Sequence, residues 1–367
     1  MREVTGREEP LYYWDYLQLD QLLDCQRRVS AQRAEPAHDE VLFIIVHQAF
    51  ELWFKQILFE LDAVLELMGV EVVPEKDMGL LVTRLTRITT IQRLLLDQLD
   101  VLETMTPLDF LDFRDQLVPA SGFQSVQFRL IENALGLRPS QRLTIRGSEY
   151  SSVFSDEHIG LLEASQQRPS LFDHVERWLE RTPFLHFGGY DFWRAYQQAV
   201  EELLAGERRI VETHPHLDEE GRAEQLATLA RTRDGFDALF DADRYAELLA
   251  SGHRRLSQEA FLAALLIHLY RDEPIVQLPF RFLVALVDID EGFTTWRYRH
   301  ALLAHRMIGT RIGTGGTAGH AYLEAAARKH QVFGDLFDLP TFFVPRSALP
   351  ALPAHVAEQM DFRYHGG

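Results

Sequence analysis

The sequence has a single cysteine, Cys25, and few positive charges for its size. One cysteine cannot form an internal disulfide, which favours a reducing compartment. Lys and Arg number 37 against 55 Asp and Glu, a net charge of -18, which argues against general binding to nucleic acid or anionic membranes. Residues 1–10 lack the apolar run of a signal peptide, and we find no uncharged apolar stretch near the ~18 residues of a membrane span. We therefore expect a cytoplasmic protein with no membrane or nucleic-acid partner.

The sequence also has few segments in which apolar and polar residues alternate, the pattern of β-strands. Apolar residues instead recur every three to four positions, as in helices. The 46% hydrophobic and 11% aromatic content suffices for a substantial core. We predict one all-α, bundle-like domain over residues 1–367. Its expected helices cover residues 13–28, 39–69, 77–104, 107–117, 122–136, 170–181, 189–213, 217–240, 242–251, 257–272, 276–308 and 320–334, and residues 138–170 show no clear pattern.

Two of these helical segments differ in character. Residues 41–68 are apolar nearly all round, which predicts a central helix that is buried on most sides. Residues 201–243 are rich in Glu, Arg and Asp, with a thinner apolar stripe. We therefore expect a protruding, acidic helical hairpin in that region.

Several common site motifs are missing. No His-Glu-x-x-His or Cys-x-x-Cys metal pattern occurs, and no phosphate-binding Walker motif is present. Residues 313–318 fit G-x-G-x-x-A formally, but they follow a helix and not a strand, so they do not indicate a dinucleotide site. This glycine cluster is either a lid that closes on a ligand or a flexible connection. Haem is compatible with these absences, because it needs only one proximal histidine.

His300 lies on a helix face that suits a flat cofactor. Trp296, Ala304 and Met307 are four before, four after and seven after it, and residues at these spacings share one side of a helix. An aromatic, a small and a soft side chain thus surround one imidazole. The alternative is a histidine that is simply hydrogen-bonded in the core.

Two further helices carry candidate site residues. His47 stands on the apolar helix one turn after Phe43, and a buried imidazole needs a polar partner or a ligand. Arg114 shares a face with Phe110, so its guanidinium could grip a carboxylate beside an aromatic wall. The alternatives are a core histidine at His47 and an ion pair between Arg114 and Asp112 or another acid.

In this order and spacing, the motifs resemble those of the tryptophan 2,3-dioxygenase family, and the likeness covers nearly the whole chain. The motifs that carry it are Tyr13 to Asp20, Pro36 to Trp53, Phe110 to Arg114, Pro119 to Arg129, Trp178 to Pro183, Trp296 to His300, and Gly313 to Gly316. Two departures occur in the glycine loop: Arg311 stands where we expect lysine, and Thr317 and Ala318 stand where we expect serines.

The resemblance implies haem b as the cofactor, one per subunit. His300 then corresponds to the histidine that binds the haem iron. Ser121 corresponds to a serine near the haem, and Arg129 to a residue near the haem propionates.

The resemblance also implies how the substrate, L-tryptophan, is bound. His47 corresponds to the catalytic-site histidine that hydrogen-bonds to the indole N–H, and Phe43 and Phe110 to aromatic walls. Arg114 corresponds to the arginine that binds the substrate carboxylate. Thr314 corresponds to a threonine that binds the amino acid's charged groups when the loop closes.

The family's subunit arrangement gives residues 1–30 a role outside their own chain. Tyr13, Tyr16 and Leu17 are then expected to line the pocket of a neighbouring subunit. This implies a homotetramer that is a dimer of dimers. The acidic hairpin over residues 201–243 resembles the family's helical insertion.

The implied reaction is cleavage of the indole C2–C3 bond by O₂, which gives N-formyl-L-kynurenine in the first step of tryptophan degradation by the kynurenine pathway. Two alternatives keep the same residues. One is a haem-dependent monooxygenase of the same superfamily that acts on a modified indole or another aromatic. The other is a haem or tryptophan sensor without turnover.

Overall fold

The computed structural model describes residues 10–33, 35–142, 153–181, 190–311, 323–326 and 329–360, and these ranges contain helices, turns and loops but no β-strand. The predicted all-α class is confirmed. The principal α-helices are α1 (Tyr13–Tyr16), α2 (Leu19–Leu23), α3 (Ser30–Arg33), α4 (Glu40–Met68), α5 (Glu75–Leu102), α6 (Pro107–Arg114), α7 (Val126–Leu135), α8 (Asp156–Gln166), α9 (Leu171–Glu180), α10 (Phe192–Thr213), α11 (Glu219–Phe240), α12 (Ala242–Ala250), α13 (Gln258–Leu269), α14 (Gln277–Ile308), α15 (Gly334–Asp338) and α16 (Ala354–Met360).

Helix α5 connects the two other long helices, because it packs along both α4 and α14. Apolar side chains at three- and four-residue spacing form its buried stripe. Fully buried members of this stripe are Leu81, Leu85, Ile88, Leu95 and Leu99. Helix α7 packs on α4, and α13 packs on α9, so the long helices are covered by shorter ones.

At Gly292, α14 lies in close contact with Gln92 of α5. The side-chain amide of Gln92 on α5 donates to the carbonyl oxygen of Ile289 on α14 at 2.8 Å. A Cβ atom on Gly292 would lie only 2.5 Å from Oε1 of Gln92. The absence of a side chain at position 292 therefore sets how closely α14 approaches α5.

Helix α4 is more exposed than the sequence predicts. Ile45, Leu52 and Phe59, spaced seven residues apart, are 48%, 53% and 66% exposed in the single chain. The expectation that residues 41–68 are buried on most sides is therefore wrong for one chain. Helices α5, α7 and α9 cover one side of α4, and the opposite side carries this apolar stripe.

By length and composition alone, α4 is long and apolar enough to cross a membrane, and no other helix in the described ranges is. Its buried face, however, contains a charged residue, Glu60, which is 1% exposed. The Glu60 carboxylate accepts hydrogen bonds from Arg84 at 3.0 Å and from Arg87 at 2.6 Å, both on α5. These ion pairs are typical of a helix face that is packed inside a protein.

One local expectation also fails, and one segment without a clear sequence pattern proves to contain a helix. The single helix predicted over residues 13–28 is interrupted at Gln18, whose φ of 53° lies in the left-handed region, so α1 and α2 are separate. Residues 138–170, which show no clear sequence pattern, contain α8. Its first turn is capped by Ser155, whose hydroxyl accepts from the backbone N–H of His158.

The predicted acidic hairpin corresponds to α10 and α11, which pack against each other. The base of the hairpin belongs to the core, because Phe192 and Tyr196 are 2% and 0% exposed. The Tyr196 hydroxyl donates a hydrogen bond to the carbonyl oxygen of Phe342. Most side chains from Glu201 to Asp243 are exposed or half-buried. That this segment is an insertion remains a prediction.

The close approach at Gly292 generates a stability prediction. Gly292→Ala forces Gln92 out of its hydrogen bond or pushes α5 and α14 apart, and we expect it to lower the free energy of unfolding by about 1–3 kcal/mol. Gly235→Ala in α11 is the matched control, since its added Cβ meets no atom within 4 Å. We expect that change to raise the free energy of unfolding by about 0.5–1 kcal/mol. Urea denaturation measures both, and equal stability of the two variants would refute the steric argument.

Candidate active site

A cavity of about 280 Å³ lies among α4, α6, α7 and α14, and the last turns of α5 form part of its wall. Its lining is mainly apolar and aromatic, with polar groups from several helices. The residues predicted for the site that line it are Phe43, His47, Phe110, Arg114, Ser121, Arg129 and His300. The structure thus brings together residues that are far apart in the sequence.

His300 forms the α14 side of the cavity. Its ring stacks on that of Trp296, with centroids 5.2 Å apart and an angle of 12° between the planes. Ala304 and Met307 line the same cavity, which confirms the predicted helix face. Burial, with a smaller contribution from nearby His47, lowers the pKa of His300 to about 4. The imidazole is therefore neutral near pH 7, the form in which histidine binds metals.

His47 forms the α4 side. Its Nδ1 lies 2.7 Å from the carbonyl oxygen of Phe43, so Nδ1 carries the proton and donates it. Burial lowers the pKa of His47, although the hydrogen bond to Phe43 and the charge of Glu51 oppose that change. In the resulting neutral tautomer, Nε2 has a free lone pair. His47 can therefore accept a hydrogen bond from a ligand N–H group.

Aromatic rings connect the two histidines across the cavity. The Phe43 ring is 4.0 Å from that of His47 and 5.7 Å from that of Phe110. On the other side, the Phe50 ring lies 6.1 Å from that of His47 and 5.9 Å from that of Trp296. The sequence analysis missed Phe50, although its position three residues after His47 places it on the same helix face.

Arg114 reaches the cavity from the end of α6. This short helix begins with a capping box, in which Thr106 and Asp109 exchange side-chain-to-backbone hydrogen bonds. The Arg114 side chain is 13% exposed, and its Nη1 donates to Oδ1 of Asp115 at 3.0 Å. Asp115 itself is 85% exposed, so this ion pair is at the surface end of the side chain. The guanidinium thus brings a positive charge to an otherwise apolar wall.

Ser121 and Arg129 lie at the α7 end. The Ser121 hydroxyl accepts from the N–H of Phe123 and caps a 3₁₀ turn, Gly122–Gln124, that leads towards α7. Arg129 is 8% exposed and donates to Oε2 of Glu132 at 2.7 Å. Both residues are on the cavity wall. Their contacts with a cofactor, which the resemblance implies, remain a prediction.

A buried polar cluster around Glu132 was missed by sequence reasoning. Oε1 of Glu132 accepts from Arg297 at 3.0 Å and lies 3.2 Å from Nδ1 of His330. Burial alone would raise the pKa of Glu132, but Arg129, His330 and Arg297 together hold it well below its usual range. Glu132, Arg297 and His330 all line the cavity. No local motif reveals the cluster, because its members come from separate segments.

The structure does not place the remaining predicted residues at the described cavity wall. Thr314 lies outside the described residues, as do Thr317 and Ala318. Tyr13 and Tyr16 are 69% and 66% exposed, Leu17 is 39% exposed, and none of the three lines the cavity of its own chain. Their predicted contact with a neighbouring subunit remains a prediction.

The described residues contain no group of three or more His, Cys, Asp and Glu side chains that could hold a metal ion. The described cavity instead offers neutral imidazoles, aromatic walls and buried guanidinium groups. This combination defines a class: an all-α protein whose cavity suits a flat cofactor with an apolar ring and charged edges.

Comparison with known proteins identifies the family within that class. The sequence model of the family described as tryptophan 2,3-dioxygenase matches residues 3–343. The tryptophan 2,3-dioxygenase of Bdellovibrio bacteriovorus is 53% identical over 355 residues, which cover 97% of this chain and 99% of that protein. That of Dictyostelium discoideum is 44% identical over 363 residues, covering 99% and 91%. That of Xenopus tropicalis is 47% identical over 344 residues, covering 93% and 84%. The chain belongs to the tryptophan 2,3-dioxygenase family, which confirms the resemblance of its motifs.

Proposed function

We propose that the chain is a haem-dependent oxidoreductase that cleaves the C2–C3 bond of the indole ring of L-tryptophan with O₂. The product is N-formyl-L-kynurenine, and the reaction is the first step of tryptophan degradation by the kynurenine pathway. The observation that carries the proposal is the placement of two neutral imidazoles, on α4 and α14, at one aromatic cavity. Membership of the family supports it.

The cavity residues fit haem b, one per subunit. His300 would bind the iron, and Ser121 and Arg129 would lie beside the cofactor. Two buried polar atoms of the wall, Nε1 of Trp296 and Nε2 of His330, have no hydrogen-bond partner among the described residues. The Trp296 N–H is a donor and suits a cofactor that carries acceptor groups as well as an apolar ring. When bound, haem supplies the iron chemistry that activates O₂.

The protein's own residues hold the amino acid in place. The Arg114 guanidinium binds the substrate carboxylate, since it can donate two parallel hydrogen bonds. The lone pair on Nε2 of His47 accepts the indole N–H, and Phe43 and Phe110 pack against the ring. Thr314 binds the amino acid's charged groups when the glycine loop closes. Fixing both ends of the substrate lowers the barrier, because the reacting groups are arranged beforehand.

The proposed assembly is a homotetramer, a dimer of dimers. Two exposed apolar surfaces support it: the stripe of Ile45, Leu52 and Phe59 on α4, and the segment that contains Tyr13 and Tyr16. Contiguous exposed apolar residues commonly mark subunit contacts.

The cytoplasm is the proposed location, supported by the single, unpaired cysteine. The excess of acidic over basic residues supports the proposal that the protein has no nucleic-acid or membrane partner.

Arg114 provides a test of substrate binding. Arg114→Gln removes the charge that holds the carboxylate, and a hydrogen bond to a charged group contributes about 1.5–3 kcal/mol. We expect KM for L-tryptophan to rise by about 10- to 100-fold. Tryptamine, which lacks the carboxylate, is the matched control ligand, and its affinity should be nearly the same for both proteins. An unchanged KM for L-tryptophan would remove Arg114 from the substrate site.

The reaction itself is tested by the mass of the product. The haem-loaded protein is reduced without oxygen, L-tryptophan and ¹⁸O₂ are added, and the product is examined by mass spectrometry. We expect a product that contains both labelled oxygen atoms. A product with one labelled atom would indicate a monooxygenase, and haem binding without any product would indicate a sensor.

A further inference from the structure

His330 is held in a fixed position beside the cavity. It lies between α14 and α15 and is 3% exposed. Its carbonyl oxygen accepts from Arg297 at 3.3 Å, and Asp290 on α14 accepts from the backbone N–H groups of Val332 and Phe333, both at 2.9 Å. The main chain around His330 is therefore tied to α14 by several hydrogen bonds, and the ring orientation has little freedom.

The ring of His330 has one paired and one unpaired nitrogen. Nδ1 lies 3.2 Å from Oε1 of Glu132. Because the carboxylate of Glu132 is ionised, Nδ1 must carry the proton and donate it. Nε2 is buried, borders the cavity and has no hydrogen-bond partner within the described ranges. Leaving such a buried atom unpaired costs about 1–3 kcal/mol. Because Nε2 borders the cavity, a group of a ligand bound there could be its hydrogen-bond partner.

The groups that face His330 are mainly cationic. Helix α7 contributes Arg129 and Glu132, and α14 contributes Arg297. Arg142, from the segment after α7, places Nε 3.8 Å from the Glu132 carboxylate. The carboxylate of Asp290 is turned to the backbone N–H groups of residues 332 and 333. Three guanidinium groups thus surround one carboxylate, and a further carboxylate brought by a ligand would be attracted to this end of the cavity.

The same surroundings keep His330 neutral before a ligand binds. Burial lowers the pKa of His330, Glu132 opposes that change, and Arg297 and Arg129 add to it. A neutral imidazole with its proton on Nδ1 offers only a lone pair at Nε2, which cannot donate to a carboxylate. A hydrogen bond between Nε2 and a carboxylate therefore requires one additional proton.

We propose that His330 is a further cofactor-binding residue, whose Nε2 hydrogen-bonds to a propionate carboxylate of haem with uptake of one proton. The proton comes from solvent and binds Nε2, and the resulting imidazolium donates one N–H to Glu132 and the other to the propionate. No bond to carbon changes and no electron moves. The inference rests on the proposed haem cofactor, and it assigns a role to a residue outside the predicted site.

Proton uptake makes haem binding depend on pH in a defined direction. Haem binding raises the pKa of His330. The protein therefore binds haem most tightly when the pH is below the pKa that His330 has in the haem-free protein. The affinity of the protein for haem then falls as the pH rises through the pKa that His330 has in the haem-bound protein, by up to about tenfold per pH unit. His300 does not produce this trend, because a ligand histidine binds more tightly as it loses its proton.

The test measures the rate at which the holoenzyme loses haem to excess apomyoglobin. The pH is varied between about pH 6 and about pH 8.5, a range that includes the ordinary pKa of histidine. For the wild type we expect loss to accelerate with pH. His330→Gln keeps an N–H donor that does not titrate, so we expect a rate that varies little with pH. His330→Phe removes the donor, and we expect it to lose haem about tenfold faster than wild type at the lower pH, again with little pH dependence.

His268→Gln is the matched control. His268 is a partly buried histidine, with Nδ1 2.8 Å from the carbonyl oxygen of Ala264, and it lies on α13 away from the cavity lining. We expect it to keep the wild-type pH profile. The iron–histidine stretching band of the ferrous protein should be the same in all these proteins, which shows that ligation by His300 and folding are intact.

The two proposals fail in different ways. If the wild type does not bind haem stoichiometrically, the proposed function fails. If the wild type binds haem but His330→Gln and His330→Phe both keep its loss rates and pH profile, only the role of His330 is overturned.

Discussion

The packing of α5 against both α4 and α14 is the constraint on which the site depends. The α5 stripe has no exposed gap between Leu81 and Leu99, so the three long helices are held as one unit. Their ends leave a cavity, with His47 on the α4 wall and His300 on the α14 wall. The close contact at Gly292, about two turns before His300, fixes the approach of α14. Core packing thus sets the space that is available to a cofactor.

A cluster of buried charges around Glu132 forms part of the wall of a mainly apolar cavity, and this explains how that part of the wall can hold polar groups. Glu132 is ionised in the interior because Arg129, Arg297 and His330 all contact it. Removing one partner from such a buried cluster commonly costs about 3–5 kcal/mol, since the others are left uncompensated. The cluster also ties α7 to α14 through side chains. The same residues therefore support the fold and shape the polar part of the cavity wall.

The sequence predicts features that depend on one helix face and misses those that join distant segments. Trp296 and His300 share a face because of their spacing, and the structure confirms that both line the cavity. The contact between Glu132 and His330 spans 198 positions in the chain, so no helical periodicity reveals it. The burial of α4 is a similar case. An apolar helix face can be covered by the same chain or by another one, and the sequence pattern does not distinguish the two. Leu52 on α4 is exposed in the single chain.

In the proposed function, His300 binds the iron of a haem that lies between α4 and α14. The most direct test compares the resonance Raman spectrum of the ferrous wild type with that of His300→Gly, before and after imidazole is added. We expect the iron–histidine stretching band to vanish in the variant and an iron–imidazole band to appear when imidazole enters the space left by the side chain. A variant that keeps the wild-type band without imidazole would contradict the assignment of His300 as the iron ligand, because another histidine, such as His47 or His330, would then bind the iron.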